Sequence, residues 1–196
     1  EVDNYLGLPG LSGFDMGMKF KEHADRMGVA CKTATVTAVI DQGQSKTVET
    51  ADGTAYEAKT LILATGAEHA ALHVPGEEQY KGRGVSYCAT CDGAFFKGRD
   101  VAVVGGGDVA VEDAVYLARM CGKVYLIHRR DSLRAARSLQ KKLMDCDNVK
   151  ILWDRTLSKI TGSDLVERIT LQSVTDQTEE ELPVEGVFIA VGMHPN

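Results

Sequence analysis

The chain has 196 residues with 22 basic against 28 acidic side chains, a formal net charge of −6, and this balance argues against a surface built for nucleic acid or an anionic membrane. Hydrophobic residues at 44% and charged residues at 26% are the mixture of a soluble globular protein, with room for one large domain or two small ones. The longest apolar runs, 61–64 and 101–104, fall far short of the roughly 18 residues that a membrane span needs. The chain opens on Glu1 rather than Met, with no basic stretch leading into an apolar core. It therefore reads as a piece of a longer protein, without a secretory signal.

Ser12 with Asp15 three residues on has the form of a capping box and predicts a helix over 14–27, stopped by Gly28. Segments 31–40, 46–50 and 54–59 are rich in Thr, Val and Ala and are separated by Asp41-Gln42-Gly43 and Ala51-Asp52-Gly53. They predict a three-strand meander, closed by an apolar strand at 60–64 that runs into Thr65-Gly66. Residues 74–84 carry glycines and charges with no period, the pattern of a linker. Beyond them the pattern predicts a buried strand at 101–104, a helix at 108–120, a strand at 124–127 and a helix at 133–144. That βαβα order requires a parallel sheet. A second meander is predicted at 149–153, 155–160, 166–171 and 179–184, then an apolar strand at 186–190. The two halves echo each other, each ending in a meander and an apolar strand that meets a glycine, 61–66 and 187–192. Two related nucleotide-binding units would give that echo.

Gly105-Gly106-Gly107-Asp108-Val109-Ala110 stands between a predicted strand and a predicted helix. In that context Gly105 permits the tight turn and Gly107 lets the backbone approach a pyrophosphate. The helix N-terminus, with free N–H groups around Asp108, Val109 and Ala110, then faces the negative charge. At the end of the second strand an NAD site places an acid to accept from the ribose 2′-hydroxyl. This chain has His128-Arg129-Arg130, followed by Arg134, Arg137, Lys141 and Lys142, against the single acid Asp131. Guanidinium groups match phosphate oxygens bidentately, so the 2′-phosphate of NADP fits there. A solvated helix face accounts for the two lysines.

Of five cysteines, Cys31, Cys88, Cys91, Cys121 and Cys146, only Cys88 and Cys91 are close in sequence. The other three read as small apolar side chains. Cys88-Ala89-Thr90-Cys91-Asp92-Gly93 has no second ligand pair to close a zinc site. A redox dithiol needs two sulfurs able to close a small ring, one held as thiolate, and a proton donor; Cys88, Cys91 and Asp92 supply these types. Two inert buried cysteines are the alternative. The dithiol lies just ahead of the strand at 101–104, so it belongs with the NADP site. A flavin normally stands between nicotinamide and a dithiol, and the first half offers only part of a flavin site.

Together CATCDG, the strand-linked GGGDVA, HRR with Arg134, ATG at 64–66 and the ending GVFIAVGMHPN resemble low-molecular-weight thioredoxin reductases along the whole chain. The resemblance implies an α/β protein of two Rossmann-like nucleotide-binding domains in three β/β/α layers. It implies an incomplete FAD domain at 1–70 and an NADPH domain at 71–196 with a parallel sheet, a β-meander and the redox CxxC. It further implies a cytoplasmic homodimer using FAD and NADPH to reduce thioredoxin. Carried over, Cys91 is the sulfur next to the flavin and held as thiolate, Cys88 the sulfur that attacks thioredoxin, and Asp92 the acid-base group. Asn4, Thr65 and Gly66 touch FAD, while Arg129, Arg130 and Arg134, with His128, hold the 2′-phosphate. Phe95 is the docking aromatic of the pair Phe95-Phe96. The amino-terminal glycine motif of the FAD site and its carboxy-terminal Gly-Asp segment are not in the chain, so it should bind FAD poorly. Asp108 stands where many members have Asn, a change expected to be harmless because the backbone N–H makes the contact.

The flavoprotein subunit of alkyl hydroperoxide reductase shares these motifs and differs by an added amino-terminal domain. A non-catalytic NADP-binding module is the reading from another class, and it has no need of Cys88, Cys91 and Asp92 together.

Overall fold

Val101 to Val104 carry no polar side chain and all four are buried, which places this strand inside a sheet covered on both faces. The computed structural model describes Val2 and residues 5–196 and divides into two compact units, Glu1–Ala64 and Thr65–Asn196. In the first unit, α1 spans Gly13–Arg26, and Ser12 caps it by accepting from the Asp15 N–H. Strands β1 (Val36–Asp41), β2 (Lys46–Thr50) and β3 (Ala55–Ala58) form the expected antiparallel meander. Residues 60–64, expected as a strand, are not one: Ile62 is 89% and Leu63 68% exposed. A strand is defined by its neighbour, and among the described residues this segment has none.

The second unit opens with β4 (Ala67–His69), β5 (Val85–Ser86) and the short helix α2 (Ala89–Asp92), then β6 (Val101–Gly105), α3 (Asp108–Ala118), β7 (Val124–Ile127) and α4 (Arg137–Met144). It continues through β8 (Val149–Leu152), β9 (Arg155–Gly162), β10 (Val166–Ser173), β11 (Glu179–Pro183), β12 (Gly186–Ala190) and β13 (Met193–Pro195). Five strands make a parallel sheet in the order β5-β12-β6-β7-β8, and β9, β10 and β11 make an antiparallel sheet. Side chains alternate along β6. Val101 and Val103 join α3 and α4 in one core, around Val111, Leu117, Leu126, Leu143 and Phe188. Ala102 and Val104 point the other way, into a core shared with Leu157, Ile160, Ile169 and Leu171 of the meander. Helices, parallel sheet and meander are thus the three layers of an α/β nucleotide-binding fold.

Three expectations need correction. Residues 149–153 were expected to start the meander, yet β8 runs parallel to β7 as the edge of the central sheet, because the α3 and α4 crossovers each return the chain in the same direction. The helix expected at 133–144 starts only at Arg137, since the N–H groups of Arg134 and Ala136 are given to the glycine loop instead of to a helix. The expected linker at 74–84 is anchored. The buried Glu77 carboxylate accepts from the N–H groups of Leu72 and Val74 and from the Tyr87 hydroxyl, and the buried Tyr80 donates to Gly162 O at 2.6 Å. Residues 67–69 pair with 193–195 as a two-stranded antiparallel ladder, which no local signal announces.

On α3, burial and the neighbouring Glu112 charge push the Asp113 carboxyl up to about 6 from an ordinary 3.8. A carboxyl raised by folding favours the native state while protonated, and that support is lost as pH rises from about 4 through 6. Asp113→Asn should therefore stabilise the chain by about 1 kcal/mol at pH 7.5 and by nothing at pH 4. Urea unfolding at the two pH values measures the difference.

Candidate functional site

Cys88 and Cys91 are joined as a disulfide with Cα atoms 5.3 Å apart. Cys88 is the N-cap of α2 and Cys91 lies within that helix, the Cys88 sulfur accepting from the Cys91 N–H at 3.2 Å. When the bond opens, that N–H favours negative charge on Cys88 Sγ. Cys88 is half-buried and Cys91 exposed. The segment is fixed at both ends. On one side β5 pairs with β12 at Val187↔Val85 and Phe188↔Ser86. On the other, Phe96 is buried edge-on against Phe188 with ring centroids 5.3 Å apart, and a Cβ on Gly186 would come within 2.6 Å of its ring. Phe96 is therefore the core member of the aromatic pair, and Phe95 stands 75% exposed.

Ser86, which the sequence reading passed over, ties this segment together. Its buried hydroxyl accepts from the Cys88 N–H at 3.0 Å and donates to Asp92 Oδ2 at 2.6 Å. The carbonyl of Cys88, at 3.3 Å, competes for the same proton at longer range. A serine that reaches two turns of chain at once carries no spacing signature, since only the fold brings residues 86 and 92 together. A cavity of about 330 Å³ opens beside this pair, with Arg83, Ser86, Asp92, Phe95 and Arg99 among its lining.

The nucleotide loop lies between β6 and α3. A Cβ on Gly105 would sit 2.4 Å from Ala190 O and 2.6 Å from the Ala110 Cβ, so both ends of the motif are set by packing. Gly106, the variable position of the motif, is fixed as well, because a Cβ there would fall 2.2 Å from the His128 ring. Gly107 meets nothing within 4 Å and caps α3 without any side-chain bond. Its backbone and the first N–H groups of α3 are therefore open to an incoming anion. His128 turns inward: it is buried, its Nε2 lies 3.0 Å from Ser132 O and its ring meets Trp153 edge-on, so its part is to support the loop. Arg129, Arg130 and Arg134 are exposed, and among the described residues none of them pairs with a carboxylate. This donor set fits the 2′-phosphate and pyrophosphate of NADPH.

Asn4, Thr65 and Gly66 are the residues expected to touch FAD. Asn4 lies outside the described residues. Thr65 and Gly66 are engaged with Asn196, through Thr65 Oγ1 to Asn196 O at 2.8 Å, Asn196 Nδ2 to Thr65 O at 3.1 Å and Asn196 N to Gly66 O at 3.1 Å. Of the other cysteines, Cys121 is buried, and burial pushes its thiol up to about 11, leaving it inert at neutral pH. No helix among the described residues is long and apolar enough to cross a membrane.

A glycine-rich strand–turn–helix and a CxxC disulfide on one parallel sheet are the parts of a nucleotide-linked disulfide oxidoreductase. Residues 8–196 match the family model of pyridine nucleotide-disulphide oxidoreductases, and the chain belongs to that family. It is 45% identical over 196 residues to the thioredoxin reductase of Listeria innocua, covering all of this chain and 61% of that one. With the thioredoxin reductase of Bacillus subtilis it shares 43% over the same span, 62% of that protein. Its fold is similar to the crystal structure of Lactococcus lactis thioredoxin reductase, with a TM-score of 0.76 and 38% identity, over all of this chain and 65% of that one. The chain thus spans about three-fifths of the length of these relatives.

Ser86→Ala removes the side chain that, among the described residues, holds the Asp92 carboxylate. Thiol–disulfide exchange with a small disulfide should slow by about tenfold, from a lost charge-assisted hydrogen bond of roughly 1.5–3 kcal/mol only part of which bears on the rate. The disulfide should still form, and Ser86→Thr, which returns the hydroxyl, should recover much of the loss. Stopped-flow exchange of the pre-reduced chain reads both.

Proposed function

We propose that this chain is the nucleotide- and dithiol-bearing part of an NADPH-dependent thioredoxin reductase. The observation that carries the reading is the presence, on one compact unit, of the Cys88–Cys91 disulfide and of an open α3 N-terminus flanked by arginines that pair with no carboxylate among the described residues. Identity of 39–45% to thioredoxin reductases over the full chain supports it. Arg129, Arg130 and Arg134 hold the 2′-phosphate, and the N–H groups of Gly107, Asp108 and Val109 face the pyrophosphate. FAD, bound in the whole protein, would supply two-electron transfer between NADPH and the Cys88–Cys91 disulfide, and Asn4, Thr65 and Gly66 would be the residues of this chain that touch it.

The exchange half-reaction is derived from the residues present. Cys88 Sγ, as thiolate, attacks one sulfur of the partner disulfide, forming a mixed disulfide while the partner's other sulfur leaves and takes a proton. Cys91 Sγ then attacks Cys88 Sγ, which re-forms the Cys88–Cys91 bond and releases the second partner thiol. Two electrons and two protons pass to the partner in all. Asp92, held by Ser86, is the group that moves a proton at the sulfurs. Exposed Phe95, on the rim of the cavity beside Asp92, is the apolar contact for thioredoxin. The protein works in the cytoplasm as a homodimer. Because dithiol and nicotinamide sites share a unit, turnover requires that unit to swing between two orientations, and since residues 67–69 and 74–84 are held within it, the joint lies ahead of them in the chain.

Arginine at the 2′-phosphate predicts coenzyme choice. Replacing Arg129 and Arg130 together with Ala should weaken NADPH far more than NADH, each lost contact costing about 1.5–3 kcal/mol. Equal weakening of the two, in steady-state kinetics of the full-length protein, would refute the assignment.

The sulfur roles are tested by trapping. Cys91→Ser should leave Cys88 able to hold thioredoxin as a mixed disulfide on a non-reducing gel, whereas Cys88→Ser should trap nothing. Trapping through Cys91 reverses the roles, and no trapping by either variant removes the thioredoxin reading.

A further inference from the structure

A carboxylate is an unexpected first residue for a helix whose N-terminus is to receive a pyrophosphate. Its charge is favoured by the helix end, yet it repels the ligand and competes for the same N–H groups. In this chain Asp108 is turned aside. Its Oδ1 accepts from the Ala136 N–H at 2.7 Å, across to the start of α4. That helix cannot cap itself: its N-cap is Ala136, which has no side-chain acceptor, and its first turn contains no acid. In a capping box, a glutamate three residues into a helix accepts from the N–H of the N-cap residue. Asp108 does the same for α4 from the end of a different helix.

The segment that this bond holds is the one carrying the basic side chains. Arg129 and Arg130 follow β7 after His128, whose backbone N–H donates to Leu152 O and whose carbonyl accepts from the Arg155 N–H. Arg134 has no such support. Its backbone N–H donates to Gly106 O at 2.8 Å, and Ser132 O lies 3.0 Å from His128 Nε2. Residues 132, 134 and 136 are thus tied in turn to 128, 106 and 108. Two of these ties rest on backbone or on a buried ring. The Asp108 tie is the only one of the three made by an exposed side chain, so it alone can be removed without disturbing the core.

We propose that Asp108 is a positioning residue for NADPH selectivity, its carboxylate fixing the turn that presents Arg134 to the 2′-phosphate. This rests on the NADPH reading above. It keeps the expectation that Asp in place of Asn is harmless and changes the reason: Asp108 acts through Arg134, and its side chain matters as an acceptor, which asparagine also supplies.

Calorimetric titration of the whole chain with NADP⁺ and with NAD⁺ tests it, using Asp108→Ala, Asp108→Asn, Arg134→Ala and the double variant Asp108→Ala/Arg134→Ala. Asp108→Ala should lower the NADP⁺-over-NAD⁺ affinity ratio by about tenfold, within the range of one charge-assisted contact. Asp108→Asn, which keeps the Oδ1 acceptor, should retain most of the ratio. The double variant should lose no more than Arg134→Ala alone, the non-additivity expected of two groups acting as one. Equal weakening of both nucleotides, additive losses in the double variant, or a ratio untouched by Asp108→Ala would each overturn the inference while leaving the NADPH reading in place. A wild-type chain that binds NADP⁺ no better than NAD⁺ would remove the NADPH reading itself.

Discussion

Everything functional in the second unit depends on β6 being buried on both faces. A parallel strand pair cannot be closed by a hairpin, so the chain must leave β6, cross over as α3 and return as β7. That crossover sets the N-terminus of α3 at the carboxyl edge of the sheet, and the same edge receives the end of β7 with its arginines. The glycine loop and the basic turn are neighbours because the sheet permits no other route. Packing then selects the residues: Gly105 is pinched between Ala190 and Ala110, Gly106 lies on the His128 ring, and Gly107 alone stays open. The order of constraint runs from sheet to loop to ligand.

The dithiol is held by the same sheet, at its edge strand β5. Strand β5 has two residues, too few to be stable alone, and gains its place by pairing with β12 next to the buried Phe188. Ser86 ends that strand and Phe96 packs on Phe188, so the CxxC turn hangs between two fixed points a few residues apart. Such a turn can open and close its disulfide without moving the core. Rigid ends keep Asp92 on the Ser86 hydroxyl beside the turn.

Legibility in the sequence followed the range of the interactions involved. The helix at Gly13–Arg26, the first meander, and strands β6, β7 and β12 were readable because capping, turn residues and apolar runs are local signals. The CxxC and the glycine motif were readable for the same reason. Strand β8 was misassigned because a parallel edge strand and the first strand of a meander have the same apolar pattern; only the partner differs. The start of α4 was placed too early because nothing local reveals that the Arg134 and Ala136 N–H groups are spent on residues 106 and 108. Ser86, Gly106 and the inward turn of His128 were invisible for that reason too, each being defined by a contact with a residue distant in the chain. The segment at 60–64 shows the converse: its composition is that of a strand, and without a neighbour it does not become one.

These two classes of interaction divide the work. The sheet and its two cores bury Val101, Leu117, Leu126, Ile169 and Phe188 almost completely, and truncating any one of them costs several kcal/mol. The polar groups around the proposed sites lie outside those cores or at their margin: Asp108 on Ala136, Ser86 on Asp92, and Arg129, Arg130 and Arg134, which pair with no carboxylate among the described residues. Each is worth on the order of 1–3 kcal/mol, enough to change an affinity or a rate tenfold and too little to unfold the unit. Had the arginines been neutralised by surface carboxylates, as the acidic composition of the chain would readily allow, the fold would gain almost nothing, and the phosphate would have to compete for every donor. An overall charge of −6 with a local cationic turn kept unpaired is the arrangement in which stability and nucleotide recognition draw on different residues.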